Sequence, residues 1–216
     1  MKRAVLFDFD GVMADTFRYN FEAWQHVLAP LDIHLQPREV YLQEGQPVSG
    51  VLRGLLQSRG RDLSDEALQR LIEKKQRYFR EHQRARPLPG VVAFLQDVKR
   101  RGFKTALVTG TPRQNVETVL SPDVLALFDT LVTEGATERG KPHPDPYLEA
   151  ARRLQVAPEA CVVIENAPLG IRAAKRAGMT CVAITSSLPA EDLQEADFLF
   201  RDFLEVQKHF DAISRL

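Results

Sequence analysis

The chain has 216 residues, with 29 Lys and Arg against 29 Asp and Glu, and 44% of it is hydrophobic; that balance fits a soluble globular protein with one full core and residues left for a smaller insert. No basic surplus recommends a nucleic acid as partner, and the longest apolar stretches, such as 4–7 and 161–164, fall far short of the roughly 20 residues of a membrane span. The expectation is a cytoplasmic protein with no membrane segment and no secretion signal, in which Cys161 and Cys181 are reduced thiols buried in apolar runs.

The first strand-like run, Ala4–Phe7, leads into Asp8-Phe9-Asp10-Gly11-Val12. Two carboxylates spaced two apart stand on the same side of a pleat. Burying both without a partner is costly; a divalent cation offsets that cost and takes oxygen ligands, and Gly11 lets the chain turn sharply beside the site. Taken alone, the string is as compatible with a structural turn or a calcium loop as with catalysis.

Residues 16–86 hold no strand pattern and read as several amphipathic helices, one opened by Ser64-Asp65-Glu66 and running toward Gln83. The pattern predicts an all-helical insert that closes at Arg86-Pro87-Leu88-Pro89-Gly90, a stiff hinge-like return. Domain boundaries follow: 1–15 with 87–216 as core, 16–86 as cap. The charged run Glu73-Lys74-Lys75-Gln76-Arg77 reads as a solvated helix face, with room for one member to face a cleft.

Beyond the insert, apolar runs at 105–108, 130–133, 161–164 and 181–184 alternate with helical patterns, which argues for a parallel sheet. Because the runs are continuously apolar, helices should cover both faces, giving a doubly wound, Rossmann-like α/β fold. Thr111-Pro112 reads as an N-cap with proline at the first helical position, Asp145-Pro146 repeats that signal, and Gly102 and Gly178 sit where helix C-caps fall.

Three further polar clusters stand at the ends of these runs. In Val108-Thr109-Gly110-Thr111, the Thr109 hydroxyl and nearby backbone N–H groups, with Gly110 among them, converge where an anion is stabilised, while Thr111 is read as an ordinary cap. In Gly140-Lys141-Pro142-His143-Pro144-Asp145 the prolines fix Lys141 on a rigid loop where it can neutralise a dianionic phosphate, and His143 is read as structural. Glu165 and Asn166 end the run at 161–164, and either can ligate a hard cation. All four clusters lie at the carboxyl ends of successive expected strands, where open α/β sheets bind ligands.

With Asp8-Phe9-Asp10-Gly11, Thr109, Lys141 in its Gly-Lys-Pro-x-Pro-Asp context and Glu165-Asn166 in hand, the chain resembles the haloacid dehalogenase superfamily over nearly its whole length. Within it, the chain is most similar to the β-phosphoglucomutase-like phosphatases, whose helical cap follows the first strand. The resemblance implies Mg²⁺-dependent aspartyl-phosphate chemistry on a small phosphorylated substrate such as a sugar phosphate. It makes Asp8 nucleophile and metal ligand, and Asp10 general acid/base and metal ligand through its carbonyl. Thr109 and Lys141 would hold the phosphoryl group, and Glu165 and Asn166 would complete the metal site. Two departures stand out. The family pattern has an aspartate where Asn166 stands, and the mutase pattern has a histidine at Asn20 and an arginine near 46–50. Hydrolysis is therefore expected ahead of the alternative, a β-phosphoglucomutase-type sugar-phosphate mutase, and both ahead of a non-catalytic phospholigand-binding module. Specificity is assigned to the insert, with Phe17, Asn20, Trp24, Arg53 and Lys75 as candidates, Trp24 being also a natural helix-packing residue.

Overall fold

A computed structural model describes all of residues 1–216. In chain order it forms β1 (Ala4–Phe7), four helices α1 (Phe17–Leu28), α2 (Pro37–Tyr41), α3 (Val48–Gln57) and α4 (Asp65–His82), then α5 (Val91–Arg100), β2 (Lys104–Val108), α6 (Arg113–Val119), α7 (Pro122–Leu125), β3 (Thr130–Val132), α8 (Asp145–Leu154), β4 (Cys161–Glu165), α9 (Pro168–Arg176), β5 (Thr180–Ile184), β6 (Phe198–Phe200) and α10 (Phe203–Ser214). The six strands form one sheet in the order β3-β2-β1-β4-β5-β6, and every pairing is parallel. The doubly wound, Rossmann-like class is the observed one. Strand β6 was not anticipated: it is a three-residue edge strand, only partly buried, without the buried β-branched run that marks the central strands.

Alternation along β1 divides the core between the two faces of the sheet. Val5 and Phe7 pack with Phe94, Val98 and Phe210 of α5 and α10, whereas Ala4 and Leu6 pack with Tyr147, Ala150 and Ile171 of α8 and α9. Both cysteines are buried free thiols, and no helix is long and apolar enough to cross a membrane.

The helices between β1 and α5 have a separate apolar cluster, built from Trp24, Val27, Leu28, Leu52, Leu55 and Leu68 among others. Helix α4 opens as its sequence directs: Ser64 Oγ accepts from the Ala67 amide at 3.3 Å, Asp65 and Glu66 occupy the first turn, and Arg80 and His82 the last. The two crossings between this segment and the sheet run side by side, since the Asp15 amide donates to the Arg86 carbonyl at 3.0 Å and the Leu88 amide to the Met13 carbonyl at 3.1 Å.

Two expected caps are corrected. Pro112, not Thr111, is the N-cap residue of α6, with no side-chain cap, because the Thr111 hydroxyl is engaged elsewhere. Helix α8 starts at Asp145 with Pro144 before it, and the Asp145 carboxylate pairs with Arg139 at 3.0 Å instead of capping.

Candidate active site

The register of β1, β2 and β4 brings the polar clusters together. Phe7 lies opposite Leu107 and Ile164, so Asp8 follows β1 beside Thr109, which follows β2, and Glu165, which ends β4. This is the topological switch point, where helices leave for opposite faces and a crevice opens.

Lys141 is the electrostatic centre. Its Nζ is fully buried and donates to Asp8 Oδ1 at 2.6 Å, Glu165 Oε1 at 2.7 Å and the Val108 carbonyl at 3.1 Å. Burial opposes its charge, but Asp8 and Glu165 outweigh that effect and hold the ammonium above the ordinary lysine range. Burial, reinforced by the charges of Glu165 and Asp10, pushes Asp8 up to about 8 against the pull of Lys141. No protein donor reaches Asp8 Oδ2, which leaves that oxygen open to a substrate or a cation.

Glu165 is saturated by protein donors. Oε1 accepts from Lys141 and from the Tyr147 hydroxyl at 2.7 Å, and Oε2 accepts from the amides of Asn166 at 2.9 Å and Ala167 at 3.2 Å. In this arrangement the carboxylate fixes Lys141, and ligating a metal would require release of one of these four donors. Asn166 is fully buried; its Nδ2 donates to Ser187 Oγ at 3.0 Å, while its Oδ1 has no partner.

Asp10 is gripped by three side chains. Oδ1 accepts from Thr16 Oγ1 at 2.6 Å and Asn20 Nδ2 at 3.0 Å, and Oδ2 accepts from Thr111 Oγ1. Asn20 is in turn held by Lys75 Nζ, which donates to its Oδ1 at 2.7 Å while sitting over the Trp24 ring. Burial lowers Lys75 to about 8. The turn after Asp10 needs glycine: Gly11 has φ +76°, and a Cβ there would lie 2.2 Å from the Phe17 ring and 2.5 Å from Asn166 Nδ2.

The helical segment closes over this site through the stretch between α2 and α3. A Cβ built on Gly110 would fall 2.7 Å from the Gln46 carbonyl oxygen and 2.9 Å from that of Gly45, so backbone rests on backbone beside Thr109. The half-open cavity between them, about 50 Å³, is lined by Asp10, Asn20, Trp24, Glu44, Lys75 and Thr109 among others. Glu44 is pushed well above the ordinary carboxylate range by burial and by the carboxylates of Asp10, Asp8 and Glu165 that it faces.

A family model described as haloacid dehalogenase-like hydrolase matches residues 5–184, which contain all of these groups except Ser187. The chain belongs to this family. It is 36% identical over 183 residues to a phosphorylated carbohydrates phosphatase of Thermotoga maritima, covering 82% of each chain. It is 31% identical over 210 residues to the validoxylamine A 7'-phosphate phosphatase of Streptomyces hygroscopicus subsp. limoneus, covering 96% of this chain and 97% of that one. Among solved structures, a hydrolase from Pseudomonas syringae superposes with a TM-score of 0.89 at 26% identity, covering 99% and 100% of the two chains.

Of the residues singled out from the sequence of this haloacid dehalogenase-like hydrolase, Asp8, Asp10, Thr109, Gly110, Lys141, Glu165, Asn166, Asn20 and Lys75 share one crevice. Arg53 does not: it lies on the exposed side of α3 and pairs with Asp65 at 2.6 Å, because the buried side of that helix is taken by Val51, Leu52, Leu55 and Leu56. Sequence reasoning missed Thr16, Thr111, Tyr147 and Glu44. Position alone offered a signal for Thr111, two residues from Thr109 at a strand tip; the other three are marked only by the folded contacts.

Proposed function

We propose that this protein is a phosphatase that hydrolyses small phosphorylated metabolites, phosphorylated sugars foremost, with Mg²⁺ as cofactor and a phosphoryl group carried transiently on Asp8. The observation that carries the reading is the placement of Asp8 at the tip of β1, one oxygen held by a buried Lys141 and the other free of protein donors. The named activities of the two phosphatase relatives support it.

In the first step an Asp8 carboxylate oxygen attacks phosphorus and the bond to the leaving oxygen breaks. Asp10, oriented by Thr16, Asn20 and Thr111, gives its proton to that oxygen. In the second step Asp10 takes a proton from water as the water oxygen bonds to phosphorus, the bond from phosphorus to the Asp8 oxygen breaks, and phosphate and the free carboxylate result. The Thr109–Gly110 corner binds the non-bridging oxygens, and the Lys141 ammonium, its three N–H groups given to Asp8, Glu165 and the Val108 carbonyl, offsets their charge from beside Asp8. The donor set fits a hard cation, since Asn166 Oδ1 is a buried acceptor without a donor and Asp8 has an open oxygen; those two with the Asp10 carbonyl would hold Mg²⁺. When bound, the cation lowers the repulsion between Asp8 and a phosphate dianion. We assign residues 16–86 as a cap and 1–15 with 87–216 as the core. Asn20 favours hydrolysis over the mutase reaction, because an amide bonded to both Asp10 and Lys75 cannot exchange a proton as an imidazole does.

The test is phosphate release across a panel of sugar phosphates with and without Mg²⁺, comparing wild type with Asp8→Asn. An amide of nearly the same size is a poor nucleophile, so the variant is expected to fold and to release no more than a trace. Turnover by folded Asp8→Asn near the wild-type rate overturns the mechanism.

A further inference from the structure

Two polar atoms in the crevice have no partner, and they come from opposite sides of it. Asn166 Oδ1 belongs to the core side chain that follows β4 and is fully buried. Glu44 Oε2 belongs to the helical segment, on the stretch between α2 and α3 that rests on Gly110; it too is shut off from solvent and receives no hydrogen bond. The Glu44 carboxyl lies beside the Asn166 amide and faces the carboxylates of Asp10, Asp8 and Glu165. No cation is bonded to it: Lys141 Nζ is spent on Asp8, Glu165 and the Val108 carbonyl, and Lys75 Nζ, near enough to feel the charge of Glu44, is directed to Asn20. A fourth carboxylate brought into such company is unfavourable by itself.

Resting on the Mg²⁺ reading given above, we propose that Glu44 is a metal ligand supplied by the helical segment, its carboxylate standing in for the one that Asn166 lacks. The core alone offers one carboxylate oxygen, from Asp8, and two neutral oxygens, from the Asp10 carbonyl and Asn166. Glu44 adds the second negative charge, which a hard dication prefers to a further amide. The ligand set is then divided between the sheet and the helical segment. Cation binding and seating of that segment are therefore linked, each strengthening the other by the same factor.

The test is Mg²⁺ titration by calorimetry, without substrate, of the full-length wild type, Glu44→Gln and Glu44→Ala, with melting temperatures recorded in chelator and in saturating Mg²⁺. Both variants are expected to weaken the Mg²⁺ dissociation constant by about 10–100-fold, the range over which metal-site partners tune affinity. In chelator, Glu44→Gln should melt at or above the wild-type temperature, because an unpartnered buried carboxylate is removed; in Mg²⁺ the order should reverse. Dissociation constants within twofold of wild type overturn the assignment. So does a Glu44→Gln variant that changes only the Michaelis constant, which would place the carboxylate on the substrate. Failure of the wild type to bind Mg²⁺ would instead remove the metal from the proposed reaction.

Discussion

Glu165→Gln separates a carboxylate that fixes Lys141 from one that serves chiefly a metal. Four donors converge on Glu165, two at each oxygen, and a glutamine has one acceptor oxygen and an NH₂. Whichever way the amide is turned, its NH₂ meets either Lys141 and Tyr147 or the backbone amides of Asn166 and Ala167. Two hydrogen bonds to a charged acceptor are lost, each worth about 1.5–3 kcal/mol. Lys141 retains Asp8 at 2.6 Å, so the full penalty of an unpaired buried charge, about 3–5 kcal/mol, bounds the effect from above. We expect a loss of about 3–5 kcal/mol in urea unfolding measured in chelator. Tyr147→Phe, which removes one donor and leaves the carboxylate paired, should cost about 1 kcal/mol. An unfolding midpoint for Glu165→Gln equal to wild type in chelator, with a loss only in Mg²⁺, would refute the reasoning and return Glu165 to the metal.

Gly110→Ala would drive a methyl group into the Gln46 and Gly45 carbonyls at 2.7 and 2.9 Å; kcat/KM is expected to fall tenfold or more from misplaced closure, with the melting temperature changed by only a few degrees, and an unaltered kcat/KM would show that the contact is dispensable. Lys75 gives a pH dependence with a definite sign. The unfolded chain keeps this proton up to the ordinary lysine value of 10.5 and the folded chain only to about 8, so between those values the unfolded state binds more protons and stability rises with pH. Lys75→Met is expected to flatten that rise, on the order of 3 kcal/mol in total, and an identical pH profile in chemical denaturation would rule the explanation out.

Sequence patterns revealed the central strands and placed Asp8 and Asp10 at a strand tip for one physical reason: a parallel strand buried on both faces must be continuously apolar, so a charged residue at its end stands out. Edge strand β6 escapes because Phe198–Phe200 is only partly covered and owes its pairing to β5. Thr111 escapes because a threonine before a proline is a good helix cap in isolation; only the approach of Asp10 across the crevice gives its hydroxyl a better acceptor. Glu165 shows the same limit. Its place at a strand tip is plain, but whether it faces a metal or a lysine depends on how the loop carrying Lys141 folds back, and that distance has no counterpart in spacing along the chain. Glu44 lies in a polar stretch that reads as solvated until Gly45 and Gln46 press onto Gly110.

Asp10 ties the chemistry to the position of the helical segment. Of its three side-chain partners, Thr16 and Asn20 come from the start of that segment, and Asn20 is itself held by Lys75 of α4. Proton transfer in the proposed reaction needs Asp10 in a fixed orientation at both steps, and that orientation exists only while α1 and α4 are seated. A cavity of about 50 Å³ holds a few water molecules but no sugar phosphate, so substrate must enter with the segment displaced. The fold makes such a displacement affordable. The apolar cluster of α1–α4 is distinct from the two clusters on the sheet and meets one of them through Tyr41, and several of the other links between them are single polar contacts, such as the Val48 amide to Glu134 at 3.1 Å and Arg38 to Asp192 at 2.7 Å. Exchanging each of these for water costs on the order of 1 kcal/mol. Closure therefore needs a further source of free energy, and a bound phosphoryl group between Thr109 and Lys141, together with a cation reached by Glu44, would supply it where the acid must act.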